Sequence, residues 1–138
     1  MVAVKTGDTI ERDAPAKINL WLEVLGQRPD GYHNLETVMQ TVDFSDVLSF
    51  RSRSDGAIHL YGEAAGLPPA EENLVVRAAR ALKERTGTAM GADIQLTKNI
   101  PIGAGLGGGS SDCASTLLAL RDLWDLDIGL KPLHEIAR

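Results

Sequence analysis

Residues 101–111 read PIGAGLGGGSS, and no other stretch constrains this chain so tightly: glycine fills five of the seven positions from 103 to 109. Each glycine is freer in the unfolded chain than any other residue, so a loop this rich in them is costly to order. What it offers in return is access, because successive backbone N–H groups can converge on an anion with no side chains in the way. Upstream, Ile94 and Leu96 mark a short strand. Downstream, Cys113, Leu117, Leu120 and Trp124 recur at helical spacing and predict a helix from Asp112 to about Asp125. Ser110 and Ser111 stand between as N-caps or hydroxyl donors, and the positive end of the helix faces the same place. Strand, glycine loop, hydroxyls and helix N-terminus, in that order, form a phosphate-binding arrangement.

Three readings of the loop compete. A flexible surface turn is one, although such a linker needs neither a strand nor an amphipathic helix joined tightly to it. A dinucleotide fingerprint is the second, since Gly103, Gly105 and Gly108 satisfy G-x-G-x-x-G. Its acidic partner should follow a second strand, whereas Asp122 and Asp125 lie within or at the end of the same helix. A mononucleotide triphosphate site is the third. It is not a Walker A loop, because Gly109 stands where that motif requires lysine, so positive charge for a transferring phosphoryl group must come from elsewhere.

The rest of the chain predicts an α+β fold. Ile18, Leu20, Leu22 and Val24 alternate with Lys17, Asn19, Trp21 and Glu23, the period of a half-buried strand, which ends at the turn-forming residues 26–31. Further extended segments are expected over 37–42, 47–50 and 57–61, the last two flanking the turn Ser54-Asp55-Gly56. Four early strands without a clear helix between them favour a mixed or antiparallel sheet packed by helices. Glu71-Glu72-Asn73 begins a helix with Leu74, Ala78, Ala81 and Leu82 on one face and Arg77, Arg80 and Lys83 largely outside. A last helix is expected to open at Pro132 and run over 133–138. A chain that stops within an amphipathic helix reads as a truncated piece of a longer protein.

Composition removes several function classes. At 138 residues the chain amounts to about one domain. Lys plus Arg total 14 against 19 for Asp plus Glu, a net charge of −5, which argues against a dedicated nucleic-acid binder. No apolar run approaches the ~18 residues that span a bilayer, and residues 1–13 mix charges throughout, unlike a secretory signal. Cys113 is the single cysteine and forms neither an internal disulfide nor a metal site alone. A soluble domain of a reducing compartment, the cytoplasm, touching neither membrane nor nucleic acid, is the expectation.

Outside the glycine loop, two regions carry candidate chemistry. Lys17 and Asn19 project from one face of the first strand, and lysine suits a phosphate or hydroxyl as a mobile point charge; spacing alone favours reading Lys17 as an exposed solubilising charge. The loop Asp30-Gly31-Tyr32-His33-Asn34 groups a ring, an imidazole and an amide able to stack a base and bond its edge, or simply to form a polar turn. His59 and His134 have no evident partners in the sequence, and Cys113 reads as a small packing residue.

Pro101, Ile102, Gly103, Ala104, Gly105, Leu106, Gly107, Gly108, Gly109, Ser110 and Ser111 together resemble the second motif of the GHMP kinases, the superfamily of galactokinase and of homoserine, mevalonate and phosphomevalonate kinases. Pro15-Ala16-Lys17-Ile18-Asn19-Leu20, then Arg28-Pro29-Asp30-Gly31-Tyr32-His33-Asn34-Leu35-Glu36-Thr37, resemble the branch acting in non-mevalonate isoprenoid synthesis, as does the run Asn73-Leu74-Val75-Val76-Arg77-Ala78-Ala79. The resemblance spans residues 14–138 and implies a ribosomal-protein-like α+β N-terminal domain over 1–138, with the family's C-terminal domain missing. It implies ATP-dependent phosphorylation of a cytidine-diphosphate-linked sugar alcohol, with Mg2+. The eleven loop residues would hold the ATP phosphates, Asn73 and Lys98 would lie near the adenine, and Lys17 would be the catalytic lysine. Asn19, Tyr32 and His33 would meet the substrate, and Ser111 is the candidate metal ligand. The family's aspartate, in a Gly-Ala-Asp-Val-Pro-like segment, has no counterpart in the sequence, which implies at most weak turnover by this chain alone.

Overall fold

The computed structural model describes residues 3–62 and 67–138; Met1 and Val2, the start of the region scanned above for a signal, lie outside them. The strands are β1 (Ala3–Thr6), β2 (Thr9–Gln27), β3 (His33–Arg53), β4 (Ile58–Tyr61) and β5 (Gly91–Thr97); the helices are α1 (Leu74–Thr86), α2 (Gly108–Leu123) and α3 (Leu130–Ile136). They form a sheet in the order β1-β2-β3-β5-β4. Every neighbouring pair is antiparallel except β4 and β5, whose parallel pairing requires the crossover that α1 supplies. α1 and α2 lie side by side on the sheet, α2 over β2 and β3, α1 over β4. The mixed sheet with helices against it is the α+β architecture expected from the sequence.

The core lies between those layers. Ile10, Leu48, Phe50, Ile94 and Leu96 from the sheet meet Val75, Ala79, Leu82, Leu117 and Leu120 from the helices. The Trp124 indole closes the far end by donating to the Gly91 carbonyl at 3.0 Å. Burying aliphatic and aromatic side chains of this size contributes about 1.5–3 kcal/mol each, which is why two amphipathic helices stay on the sheet.

Several boundaries differ from expectation. The segments expected over 37–42 and 47–50 are parts of one 21-residue strand, β3; the polar run Asp43, Ser45, Asp46 breaks the apolar pattern without breaking the backbone ladder. The strand expected over 17–24 belongs to β2, which begins at Thr9, and that expected half-buried segment is largely exposed on both faces. Leu20 is 62% exposed and Met39 61%, because residues 18–40 extend past both helices as a two-stranded arm with little packed over it among the described residues. In α1 the buried face is Val75, Val76, Ala78, Ala79 and Leu82, with Leu74 turned outward and Ala81 only half-buried. Asn73 caps this helix, its Oδ1 accepting from the Val75 amide at 2.9 Å. α3 starts at Leu130, so Pro132 sits inside its first turn, where an amide hydrogen has no helical partner to lose.

Candidate active site

The glycine loop joins β5 to α2 as the sequence predicts, but the helix begins at Gly108 rather than Asp112. Ser110 and Ser111 are therefore first-turn residues and not N-caps; the cap position falls to Gly107. Gly107 has φ of 70° and no side chain with which to cap. The first helical hydrogen bond runs from the Ser111 amide to the Gly107 carbonyl at 2.9 Å. The amides of Gly108, Gly109 and Ser110 are thus the orphan donors of this helix end, and no side chain competes for them. α1, by contrast, has its N-terminus occupied by Asn73. The open end faces a cleft of about 350 Å³ lined by residues 101–110 together with Leu67, Pro68, Asn73, Leu74, Lys98 and Asp112.

Lys17 reaches this loop from the far strand. A register shift between Pro15 and Lys17 frees the Lys17 amide from the β2–β3 ladder, and it donates to the Leu106 carbonyl at 2.9 Å. Its aliphatic stem crosses Gly107 so closely that a Cβ there would stand 3.1 Å from Cγ and 3.3 Å from Cε. The half-buried lysine and the loop are one mechanical unit.

The cleft's inner wall is ionic. The Lys98 ammonium lies 2.5 Å from Asp46 Oδ2 and 3.0 Å from Asp112 Oδ2, with all three side chains at most 6% exposed. Burial by itself lowers the lysine and raises the acids. For Asp46, hydrogen bonds from Lys98 and from the Ile100 and Asn99 amides outweigh burial and hold the carboxyl below its usual range. Lys98 ends above its ordinary value because both carboxylates accept from it. For Asp112 burial prevails over Lys98 and pushes the carboxyl up to about 7. Asp112 Oδ1 is buried without a protein hydrogen bond.

The expected nucleotide residues Asn73, Lys98 and 101–110 thus share one cleft, with Ser111 next along the helix. The expected substrate residues stand apart from that lining. Asn19 lies on the arm, its Oδ1 accepting from Thr37 Oγ1 at 3.0 Å. Tyr32 is 73% exposed at the arm's tip, where its amide donates to Asp30 Oδ1 at 3.1 Å, and His33 opens β3. His59, expected to be unpartnered, has Nδ1 3.3 Å from Asp93 Oδ1. Cys113 packs against the core, and burial pushes its thiol up. Sequence reasoning missed Asp46 and Asp112: an acid inside a strand and another inside a helix carry no local signal of meeting one lysine. A larger concavity of about 680 Å³ between α2 and α3 shares no lining residue with the cleft. The dinucleotide reading is not favoured: β5, the strand entering the loop, pairs antiparallel with β3 on one side and parallel with β4 on the other, unlike a strand inside a parallel dinucleotide-binding sheet.

Comparison with known proteins bears on the fold and the family. The family described as the GHMP kinases N terminal domain matches residues 73–138. A 4-diphosphocytidyl-2-C-methyl-D-erythritol kinase of Pseudomonas putida is 60% identical over 114 residues, which is 83% of this chain and 40% of that protein. The kinase of the same name from Methylococcus capsulatus is 54% identical over 134 residues, 97% of this chain and 46% of its own length. A crystal structure of 4-(cytidine 5'-diphospho)-2C-methyl-D-erythritol kinase superposes with a TM-score of 0.78 at 43% identity, covering 93% of this chain and 46% of that one. The chain therefore spans less than half the length of these relatives.

Proposed function

This chain carries the GHMP kinase N-terminal domain, and on that premise we propose that it holds the phosphates of ATP in the glycine-loop cleft and supplies Lys17 to phosphorylation of the 2-hydroxyl of 4-diphosphocytidyl-2-C-methyl-D-erythritol. The observation that carries this reading is the uncapped start of α2. Three orphan amides and the helix dipole face a cleft whose loop is crossed by a lysine from the opposite strand.

In the transfer, the substrate hydroxyl oxygen bonds to the γ-phosphorus while the bond to the β–γ bridging oxygen breaks and ADP departs. Negative charge spreads over the phosphoryl oxygens, so positioning and electrostatic stabilisation provide the catalysis. Residues 103–111 grip the polyphosphate through main-chain amides. Lys17 supplies the cation that a Walker loop would carry at the position of Gly109. Asn73 and the stem of Lys98 border the adenine, the Lys98 ammonium being engaged by Asp46 and Asp112. Asn19, Tyr32 and His33 take the sugar alcohol and the cytosine. No side chain of this chain is assigned the base that removes the hydroxyl proton.

Mg2+, when bound, would supply positive charge that neutralises the nucleotide phosphates. Among the described residues no three His, Cys, Asp or Glu side chains gather to hold a resident ion, which suits a metal that arrives with the nucleotide. Ser111 Oγ is the candidate ligand. Among the described residues no helix is long and apolar enough to cross a membrane. We propose the cytoplasm as its location, where a lone free cysteine stays reduced.

Calorimetric titration tests the assignment. ATP should bind and NAD should not, and cytidine nucleotides should compete with the diphosphocytidyl substrate. Tight NAD binding without ATP binding would defeat it. Phosphoryl transfer by the 138-residue chain alone should fall well below the ~1–100 s⁻¹ usual for kinases.

A further inference from the structure

Asp46 has no place among the expected site residues, yet it is the carboxylate with no solvent exposure among the described residues. The β3–β5 ladder ends at the pair Val47 and Thr97, one residue beyond it. There β5 turns toward the glycine loop, and the Asp46 side chain takes over from the backbone. Oδ1 accepts from the Asn99 amide at 2.6 Å and the Ile100 amide at 2.8 Å, while Oδ2 accepts from Lys98 Nζ. The preceding residue adds a contact, Asn99 Nδ2 donating to the Ser45 carbonyl at 2.8 Å.

Both groups that Asp46 holds press on the start of α2. The Ile100 side chain abuts Gly108, where an added Cβ would meet Cγ2 at 2.9 Å, so the place of Ile100 sets the place of the Gly108 amide. Lys98 reaches Asp112, one turn further along the same helix, at 3.0 Å. We propose that Asp46 is the positioning residue of the phosphate seat: from β3 it fixes, through Ile100 and Lys98, where the first-turn amides of α2 point. It touches no ligand, and its effect on ATP rests on the cleft reading given above.

The carboxylate's two oxygens make the idea testable. Asparagine has one acceptor oxygen, so Asp46→Asn satisfies either the two amides or Lys98 and never both. Amide hydrogen exchange on the unliganded 138-residue protein should then quicken at least about tenfold at the hydrogen-bonded amides of Asn99, Ile100 and Ser111, with β2 and β5 unchanged, and the Kd for ATP with magnesium should rise roughly tenfold. Adding Lys98→Met removes the competing donor and should restore protection of the Asn99 and Ile100 amides. Exchange at Asn99, Ile100 and Ser111 identical to wild type overturns the proposal, as does a uniform acceleration across the whole core, which a merely structural role would give. If Asp46→Asn fails to fold, the double variant decides: folded with a protected loop it supports the role, and unfolded or unprotected it overturns it. Wild-type protein that bound no ATP would sink the cleft reading, and the exchange comparison would still judge Asp46.

Discussion

Lys17 and Gly107 meet so closely that a methyl group on Gly107 would press on the lysine stem, and Gly107 also sits at a φ of 70°. An L-residue there costs about 1–2 kcal/mol in backbone strain alone. Gly107→Ala should lower the unfolding free energy in urea by about 1–3 kcal/mol and weaken ATP binding more than tenfold, since the displaced stem and the helix start move together. Unchanged ATP affinity would contradict that coupling. Asp112 carries a pH signature of its own. Burial raises its carboxyl to about 7 in the folded protein, while the unfolded chain titrates near ~3.9. Between those values the folded state keeps a proton that the unfolded state has lost, so this group's contribution to stability falls as pH rises from about 4 to 7. Asp46, held below its usual range, works the other way and loses its contribution only as pH falls through the acid end. Chemical denaturation at pH 5 and pH 8 should show Asp112→Asn gaining on the wild type as pH rises, and a pH-independent difference between the two would refute the assignment.

At the level of elements, what the sequence made legible depended on whether one local pattern governed each stretch. The glycine loop, the helix after it and the strand before it followed from composition and spacing, because loop and helix chemistry act over a few residues. The start of α2 did not. Glycine is a poor helix former, yet Gly108 and Gly109 are helical, and Ile100 and Leu74 pack so close that a side chain at either would crowd them. Strand β3 read as two pieces because Asp46 interrupts its apolar pattern, and that interruption is the buried anchor of the loop. Lys17 by spacing reads as a solvated charge; only the resemblance of its surroundings to a kinase motif pointed to the site, and its contact with Gly107 depends on residues ninety positions apart. The α1 face shows the opposite case, where a correct helix was assigned a slightly rotated core. Its Leu82 is fully buried, and Leu82→Ala should cost about 2–5 kcal/mol in denaturant unfolding. A loss under 1 kcal/mol would mean that α1 does not hold the core together.

On the scale of the whole molecule, the compact sheet-and-helix body and the exposed arm differ in how they are supported. The body has two layers and a continuous core. The arm has two strands, and a lone pair of strands is marginal in water. From Lys17 to Gln27 its contour is about 33 Å at ~3.3 Å per residue. Register shifts at 19/21 and 24/26 break that run and give it places to bend. Tyr32 and His33 at the tip form a substrate site with Lys17 only if the arm curves back, so a cytidine nucleotide should shift the amides of residues 31–34. The central claim, that main-chain donors at the start of α2 seat a polyphosphate, is met most directly by amide chemical-shift mapping during an ATP titration of the 138-residue protein. The largest shifts should fall on residues 107–111, followed by Lys17 and Asn73. A titration that leaves those amides unmoved, or moves instead those lining the concavity between α2 and α3, would contradict it.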